Sequence, residues 1–580
     1  MFACVISTLF TSKKRYRTFA IAPINHLSEF CYTTATVRKL GTLSELIKDH
    51  GPTRDDVIAW CRSEVAAETN KYKQARKTKS VQVVFHADKE LDYAQRKLFE
   101  GGYLFPQAVY YKLQLDKICK AIKKLHQHEY DLNAILSDLV YNRILDPHSK
   151  LSAYKAAQSY LEAPTYELHD VYRALSVLAK ESDFIQSEVF KNSNYFGKRN
   201  DRILYYDCSN FYFEIEQEDG NKKYGKSKEH RPNPIVQMGL FIDGDGIPLA
   251  FSIFGGNQNE QKSLKPLETK IIQQFGHDKF IYCSDAGLGS TDNRKFNHLG
   301  ERAFIVTQSI KKLDAENKKL ALSKDGFKRL SDNQKVSASE IEKSDSDELY
   351  YKEIPYISEN IDQLLIITYS PKYAAYQKAI REAQVQRAEA MIKKGKLKKN
   401  RKNPNDPARF IGKDAYTKDG EVADIHYYLD ETKVDEEARY DGLYAVCTDL
   451  IDDDVKEILK VSEGRWQIEE CFRIMKTDFA ARPVYIRRDD RIEAHFLICF
   501  LSLLVYRLLE KQLESKYTCE EILDKLKSMK FADIKGQGYM PTYIRDKLTD
   551  ALHKTCGFRT DYEFITKADM RTIEKQSKQR

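Results

Sequence analysis

The stretch from Arg202 to Gln308 constrains this chain most. It opens with ILYYDCSNFYFEIE, rich in strand formers. PIVQMGLFID (Pro234 to Asp243), a Gly-Asp-Gly turn and IPLAFSIFGG (Ile247 to Gly256) then read as two strands joined by a tight turn. Glu260 to Phe275 reads as a helix, KFIYCSD (Lys279 to Asp285) as a buried strand, Asp292 to Leu299 as a short helix, and AFIVTQ (Ala303 to Gln308) as another strand. Three consecutive strands followed by alternating helices and strands predict an α/β sheet with an antiparallel part.

Two aspartates share one setting in that block. Asp207 follows the apolar run ILYY, and Asp285 follows IYCS. A carboxylate at the end of a buried strand is costly unless something cationic sits beside it. Two such strand ends can lie side by side in one sheet, and paired hard carboxylates suit Mg²⁺ or Mn²⁺. The plainer alternative is that strands end in Asp because Asp favours turns.

A third acid comes from the segment Val461 to Ala480. Taken as one helix at about 100° per residue, it places Arg465, Glu469 and Lys476 within an arc of about 40°. Ile468, Cys471, Phe472, Met475 and Phe479 form the neighbouring apolar stripe. Such a helix buries the stripe and aims Arg, Glu and Lys from its edge at a common site. An ordinary exposed i,i+4 charge pair is the alternative.

These residues resemble the DDE transposases of bacterial insertion sequences, specifically the insertion-sequence-four superfamily. Its signature around the last acid is Tyr-x2-Arg-x3-Glu-x6-Lys, and Arg465, Glu469 and Lys476 match the last three positions. LYYDCSNFYFE is similar to the first-acid motif and SDAGLGSTDN to the second. QMGLFIDGDGIPLAFSIFGGNQNE resembles the strand pair between them, and RILDPHSKLS a segment of the N-terminal helical domain. RPVYIRRDDRIEAHFLICFLSLLVYRLLE extends the likeness to Glu510. Ser462 stands where the signature has a tyrosine that helps bind DNA phosphate, and Ala286 stands where relatives often carry arginine.

The resemblance implies an RNase H-like catalytic core, a mixed sheet with flanking helices. A strand-rich insertion domain and a helical N-terminal domain accompany it. The expected layout is a mostly helical DNA-binding and dimerisation domain over 1–200, the first part of the core over 201–310 and the insertion over 311–449. The final catalytic helices follow over 450–515 and a C-terminal helical tail over 516–580. Asp207, Asp285 and Glu469 are the expected catalytic acids and ligands of two Mg²⁺ or Mn²⁺ ions, which activate an oxygen nucleophile and stabilise the leaving oxyanion. Arg465, Lys476 and Arg473 are the expected contacts to DNA phosphate. The implied partners are transposon ends and target DNA, with a homodimer pairing the two ends. Two other functions share these features: a different RNase H-like nuclease, and an inactive or repurposed transposase-derived DNA-binding protein.

Local charge matters more than the net +8 of the 580 residues. Seven of the ten residues from 393 to 402 are basic: Lys393, Lys394, Lys396, Lys398, Lys399, Arg401 and Lys402. That run is either a DNA-backbone contact or a solvated basic loop. A lysine-ringed helix carries the stripe Leu115, Ile118, Cys119 and Ile122. It reads as an amphipathic surface helix, with binding of terminal repeats as the alternative.

Eleven cysteines with no CxxC pair fit reduced thiols rather than a disulfide framework or zinc ribbon. The apolar residues 1–10 precede the charges Lys13, Lys14 and Arg15, the reverse of a signal peptide. The apolar run Phe496 to Tyr506 is short for a bilayer and reads as a buried helix. No membrane association is expected, and the location is cytoplasmic, with the nucleoid when bound to DNA. Two further strands are expected at Arg15 to Pro23 and Lys79 to Phe85, a helix at Thr53 to Lys73, and a frayed tail from Lys567.

Overall fold

The computed structural model describes residues 2–11, 14–23, 38–77, 81–343, 347–358, 360–394, 405–416 and 424–580. They fall into two compact units, residues 1–92 and 93–580.

In the smaller unit, Phe2–Thr11 pairs antiparallel with Lys14–Pro23, which pairs with Arg38–Thr42. Helices Leu43–His50 and Arg54–Lys77 follow. Thr42 and Glu45 form a capping box that starts the first helix. Leu46, Val57 and Cys61 make a small core. The expected strand before Pro23 and helix after Thr53 are both present. The expected strand Lys79 to Phe85 is not. Lys79 and Ser80 lie outside the described residues, and 81–86 have no regular structure. Val81, Val84 and Phe85 are exposed there, so strand propensity has no buried face to act on.

The larger unit is built on one nine-stranded sheet. Its strands in chain order are β1 (Ile203–Tyr212), β2 (Ile235–Asp243), β3 (Pro248–Gly255), β4 (Ile281–Ser284) and β5 (Ala303–Thr307), then β6 (Lys328–Arg329), β7 (Tyr350–Ser358), β8 (Ile361–Tyr369) and β9 (Leu443–Thr448). The spatial order is β6-β7-β8-β9-β5-β4-β1-β2-β3. β1, β2 and β3 are antiparallel neighbours, while β1, β4 and β5 run parallel. This is the RNase H-like arrangement expected from the sequence, with the first Asp on the first strand and the second after the fourth. Every residue of β2 is buried, which is why it reads as a continuous apolar run.

Between 311 and 449 the chain adds β6 to β9 to the far edge of this same sheet. It also forms the helix Pro371–Lys393 and the hairpin Ile411–Tyr416 with Asp424–Leu429. Helices α1 (Val455–Glu463), α2 (Trp466–Arg473) and α3 (Asp489–Gln512) follow. Side chains alternate across β1 and β4. Tyr205, Phe211 and Cys283 share a core with α1, α2 and α3, while Leu204, Tyr206, Cys208 and Tyr282 face a second core on the other side.

Helix α3 is long and apolar enough to cross a membrane, but 89% of its most apolar window is buried inside the protein. It packs against Leu132–Leu145 and Leu168–Lys180 as the central core helix. The stripe Leu115, Ile118, Cys119 and Ile122 is buried as its spacing predicts. No disulfide forms among the described residues.

The C-terminal segment departs from the expected frayed tail. Leu98–Glu100 pairs with Lys530–Ile534 in a four-stranded sheet that also holds Gly538–Pro541 and Ile565–Thr566. Helix Lys567–Ser577 buries Met570 and Ile573. Its Ser577 accepts a hydrogen bond from Gln107 at 2.8 Å. The charged surface of this helix hides a narrow apolar stripe.

Candidate active site

β1 and β4 are parallel neighbours with Tyr205 opposite Cys283. Continuing that register two residues puts Asp207 beside Asp285, on strands about 4.8 Å apart. Both carboxylates leave the sheet on the face covered by α1 and α2, because Tyr205 and Cys283 do.

Another strand-end carboxylate, Asp243, shows what a structural aspartate looks like here. It is fully buried, ion-paired with the buried Arg199, and accepts from the backbone N–H groups of Asp245 and Ile247. Asp207 is different. Its side chain is 27% exposed, and Lys228 approaches only to 4.0 Å. Its one short hydrogen bond is from the N–H of Cys208 at 2.7 Å. Burial pushes the Asp207 carboxyl up to about 6, against the opposing pull of Lys228 and the Cys208 N–H, with Asp285 and Glu260 adding like charge. Asp285 is exposed, and its Oδ1 accepts from the N–H groups of Gly287 and Leu288 at 3.0 and 3.1 Å.

The segment Val461 to Ala480 is not the single helix that periodicity predicts. α1 ends at Glu463, and Gly464 lies so close to β1 that a Cβ there would sit 2.2 Å from the Tyr205 hydroxyl. α2 starts after Arg465, and Ile474–Asp478 widens into a π-turn. The three signature residues thus occupy different settings. Arg465, at the start of α2, donates to the Tyr444 hydroxyl at 2.9 Å and to the Ser462 carbonyl at 3.1 Å. Lys476, in the π-turn, donates to Ser209 Oγ on β1 and lies 5.5 Å from the Phe211 ring centre. Burial and then Lys228 push its ammonium down to about 8, opposed by Asp207.

Glu469 is exposed and makes no hydrogen bond or ion pair among the described residues. Gln467 and Cys471 touch the Gly244–Gly246 turn, so the opposite edge of α2 carries Glu469. Arg473 is taken up by its own helix: it grips Glu470 through two bonds of 2.7 Å and reaches Asp478 at 3.1 Å. Ser462 is buried on α1, and the hydroxyl that meets Arg465 belongs instead to Tyr444.

The structure therefore brings together Asp207, Asp285 and Lys476, with two residues that the sequence pattern did not single out. Lys228 donates to the Cys208 carbonyl and lies 3.9 Å from Glu260. Glu260 closes the GGNQNE motif, which offered a signal. Lys228 sits in a polar loop with no periodicity and offered none. Lys393 and Lys394 are exposed at the end of their helix. Lys396, Lys398, Lys399, Arg401 and Lys402 lie outside the described residues.

Among the described residues only Asp550, His553 and Asp561 bring three ligand atoms within 4.8 Å of one another. Arg545 and Arg559 already pair with both of those aspartates, so that cluster is an ion-pair network. Asp207, Asp285 and Glu469 do not converge so tightly. Their chemistry still fits hard divalent cations. All three are carboxylates, none is tightly neutralised, and the charge of Asp207 is disfavoured without one. Beside them is a cavity of about 590 Å³ whose lining includes Ala286, Lys311, Tyr373, Tyr376, Arg381 and Tyr444.

No curated protein is significantly similar to the chain. A solved piggyBac transposase synaptic complex with hairpin DNA, determined by cryo-EM, is similar at 8% identity and a TM-score of 0.35, over 75% of this chain and 82% of that one. The transposase DDE domain family matches residues 199–505, more than half of the 580, from just before β1 to within α3. With that match over more than half of its length, the chain belongs to the DDE transposase family of metal-dependent DNA-cleaving enzymes.

Proposed function

We propose that the chain is a cut-and-paste transposase of the bacterial insertion-sequence-four type. It cleaves the ends of its element and joins the freed 3′-OH to target DNA. The observation that carries this reading is the contrast between Asp243, fully neutralised by a buried arginine, and Asp207, half-buried beside Asp285 with Lys228 no nearer than 4.0 Å.

Asp207, Asp285 and Glu469 would hold two Mg²⁺ or Mn²⁺ ions, a number that suits carboxylates that do not converge on one point. When bound, the ions lower the cost of forming the attacking oxyanion and of releasing the leaving one. The chain's own residues do the rest. Lys476 gives up its bond to Ser209 and donates to a non-bridging phosphate oxygen as a point charge. Arg465 presents its guanidinium to a second phosphate, oriented by Tyr444 Oη. That hydroxyl takes the place of the signature tyrosine absent at 462. Lys228 balances the acidic group through Asp207 and Glu260. Arg473, already paired twice, is left out of the phosphate contacts. Pairing of two ends calls for a homodimer on DNA, and the location is the cytoplasm, with the nucleoid when bound.

The test is cleavage of duplex DNA carrying the element's ends. Nicking at the end in Mg²⁺, stopped by chelation, with joining of the 3′-OH to a second duplex, is the expected result. Cleavage without joining would reduce the protein to an RNase H-like nuclease. Binding without cleavage in either metal would make it a repurposed DNA-binding protein.

The basic run 393–402 is assigned to the DNA backbone. Neutralising five of its charges is expected to flatten the dependence of log affinity on log salt by about 0.9 for each phosphate that the protein no longer neutralises. An unchanged slope would return the segment to a solvated loop.

A further inference from the structure

A second cationic site lies outside the acids, in a cavity of about 470 Å³ between two segments far apart in sequence. One is Arg143 to Lys150, at the end of helix Leu132–Leu145. The other is Ala480 to His495, which leads into α3. Arg143, Lys150, Arg482, Arg487, Arg488 and Arg491 line it, and no carboxylate does.

Two of these cations are neutralised from outside: Arg482 pairs with Glu229, and Arg488 with Asp490. The others are not. Lys150 is only 5% exposed, yet it makes no hydrogen bond or ion pair among the described residues. Arg143 is equally buried and donates only to neutral carbonyls, those of Phe479, Ala480 and His148. The Nε atoms of Arg143 and Arg491 are buried without an acceptor. Arg491 lies over the Tyr172 ring at 5.2 Å. A buried cation with no counter-charge is strongly disfavoured, and burial, with Arg143 beside it, pushes the Lys150 ammonium down to about 7. Two such cations, Arg143 and Lys150, beside the half-buried Arg491 and the exposed Arg487, make a site suited to a ligand that brings the negative charge and the acceptors.

We propose that this cavity is a phosphate-binding pocket, separate from Arg465 and Lys476, that takes a phosphodiester of DNA leaving the catalytic acids. A phosphate supplies the missing acceptors, and the arginine forks suit its geometry. The pocket adjoins the acids: Arg482 in its wall grips Glu229, whose neighbour Lys228 reaches Asp207. The choice of DNA as the source rests on the transposase reading. The binding of a phosphate group does not.

The experiment uses the full chain without divalent metal, so it reads no catalysis. Thermal unfolding is followed while inorganic phosphate replaces chloride at constant ionic strength. Affinity for duplex DNA of mixed sequence is followed against salt. Wild type, Lys150→Met and Arg491→Gln are compared. Phosphate is expected to raise the unfolding temperature of wild type but not of Lys150→Met. Lys150→Met without phosphate is expected to be at least as stable as wild type, since it removes an unpaired buried charge. Each variant is expected to lose about tenfold in DNA affinity at low salt, with the salt slope shallower by about 0.9. Phosphate stabilisation lost in the variants with an unchanged DNA slope would assign the pocket to a free phosphate and overturn the DNA source. No phosphate effect on wild type, with unchanged DNA slopes, would overturn the pocket. If Lys150→Met fails to fold, the charge was structural there, and Arg491→Gln at the rim decides by the same two readings.

Discussion

Glu469→Gln is expected to lose cleavage by several orders of magnitude, while its neighbour Glu470→Gln keeps most of its activity. The two carboxylates are adjacent in sequence, and either could be aligned with the last acid of a DDE set. Their surroundings separate them. Glu470 is committed to Arg473 through two bonds of 2.7 Å, with both side chains partly exposed, at 29% and 47%. An exposed pair of this kind contributes about 0.5 kcal/mol, so losing it changes stability little and chemistry less. Glu469 has no partner among the described residues and lies on the edge of α2 away from the Gly244–Gly246 turn. Replacing it by an amide keeps the shape and removes the charge that would help hold divalent ions. Single-turnover cleavage of a pre-formed end complex in Mg²⁺ is the measurement, so that weaker DNA binding does not pass for lost chemistry. An inactive Glu470 variant beside an active Glu469 variant would reverse the assignment.

That edge of α2 was legible in the sequence for a partly wrong reason. The 100° wheel assumed one helix from Val461 to Ala480, and the chain breaks it twice. The break at Gly464 comes from contact with Tyr205, hundreds of residues earlier, which no local pattern reveals. In the π-turn at 474–478, Ile474 and Met475 are buried in the core shared with α2 and α3. Within α2 itself the wheel holds, which is why Gln467 and Glu469 lie on opposite edges. The strands β1 to β5 were legible because burial on both faces writes an unbroken apolar run. Asp207 and Asp285 stood out because a charge ends each of two such runs.

Lys228 could not be found this way. Its loop has no periodicity, and it is held near β1 by Asn210, which accepts from the Lys228 N–H and donates to the Lys226 carbonyl. The C-terminal sheet was equally hidden, since Lys530–Ile534 pairs with Leu98–Glu100 from the other end of this unit. The pocket of Arg143, Lys150 and Arg491 was visible only as two motifs, RILDPHSKLS and RPVYIRRDDRIEAH. Nothing in either says that they meet.

Asp207→Asn is expected to abolish cleavage without loss of stability, whereas Asp243→Asn is expected to destabilise the fold by about 3 kcal/mol. Both residues belong to the antiparallel pair β1 and β2, and both substitutions are nearly isosteric. Asp243 is fully buried against Arg199, itself 2% exposed, so the amide leaves a guanidinium without its counter-charge. Asp207 has no such partner. Its carboxyl is raised to about 6 from an ordinary value of 3.8, so the folded protein holds that proton more tightly than the unfolded chain. Below about pH 4 both states are protonated and the aspartate costs nothing. Between about pH 4 and pH 6 the unfolded chain loses the proton first, and stability falls. Above that range the full penalty, about 1–3 kcal/mol, is present. In chelator, Asp207→Asn is therefore expected to be more stable than wild type at pH 7 and equal to it at acid pH. Adding Mg²⁺ should close the gap at pH 7 by relieving the wild-type carboxylate alone. Thermal unfolding of both variants against wild type, across pH and with and without Mg²⁺, is the measurement. A strongly destabilised Asp207 variant would mean that its charge is already compensated within the fold, and the metal-ligand assignment would fall.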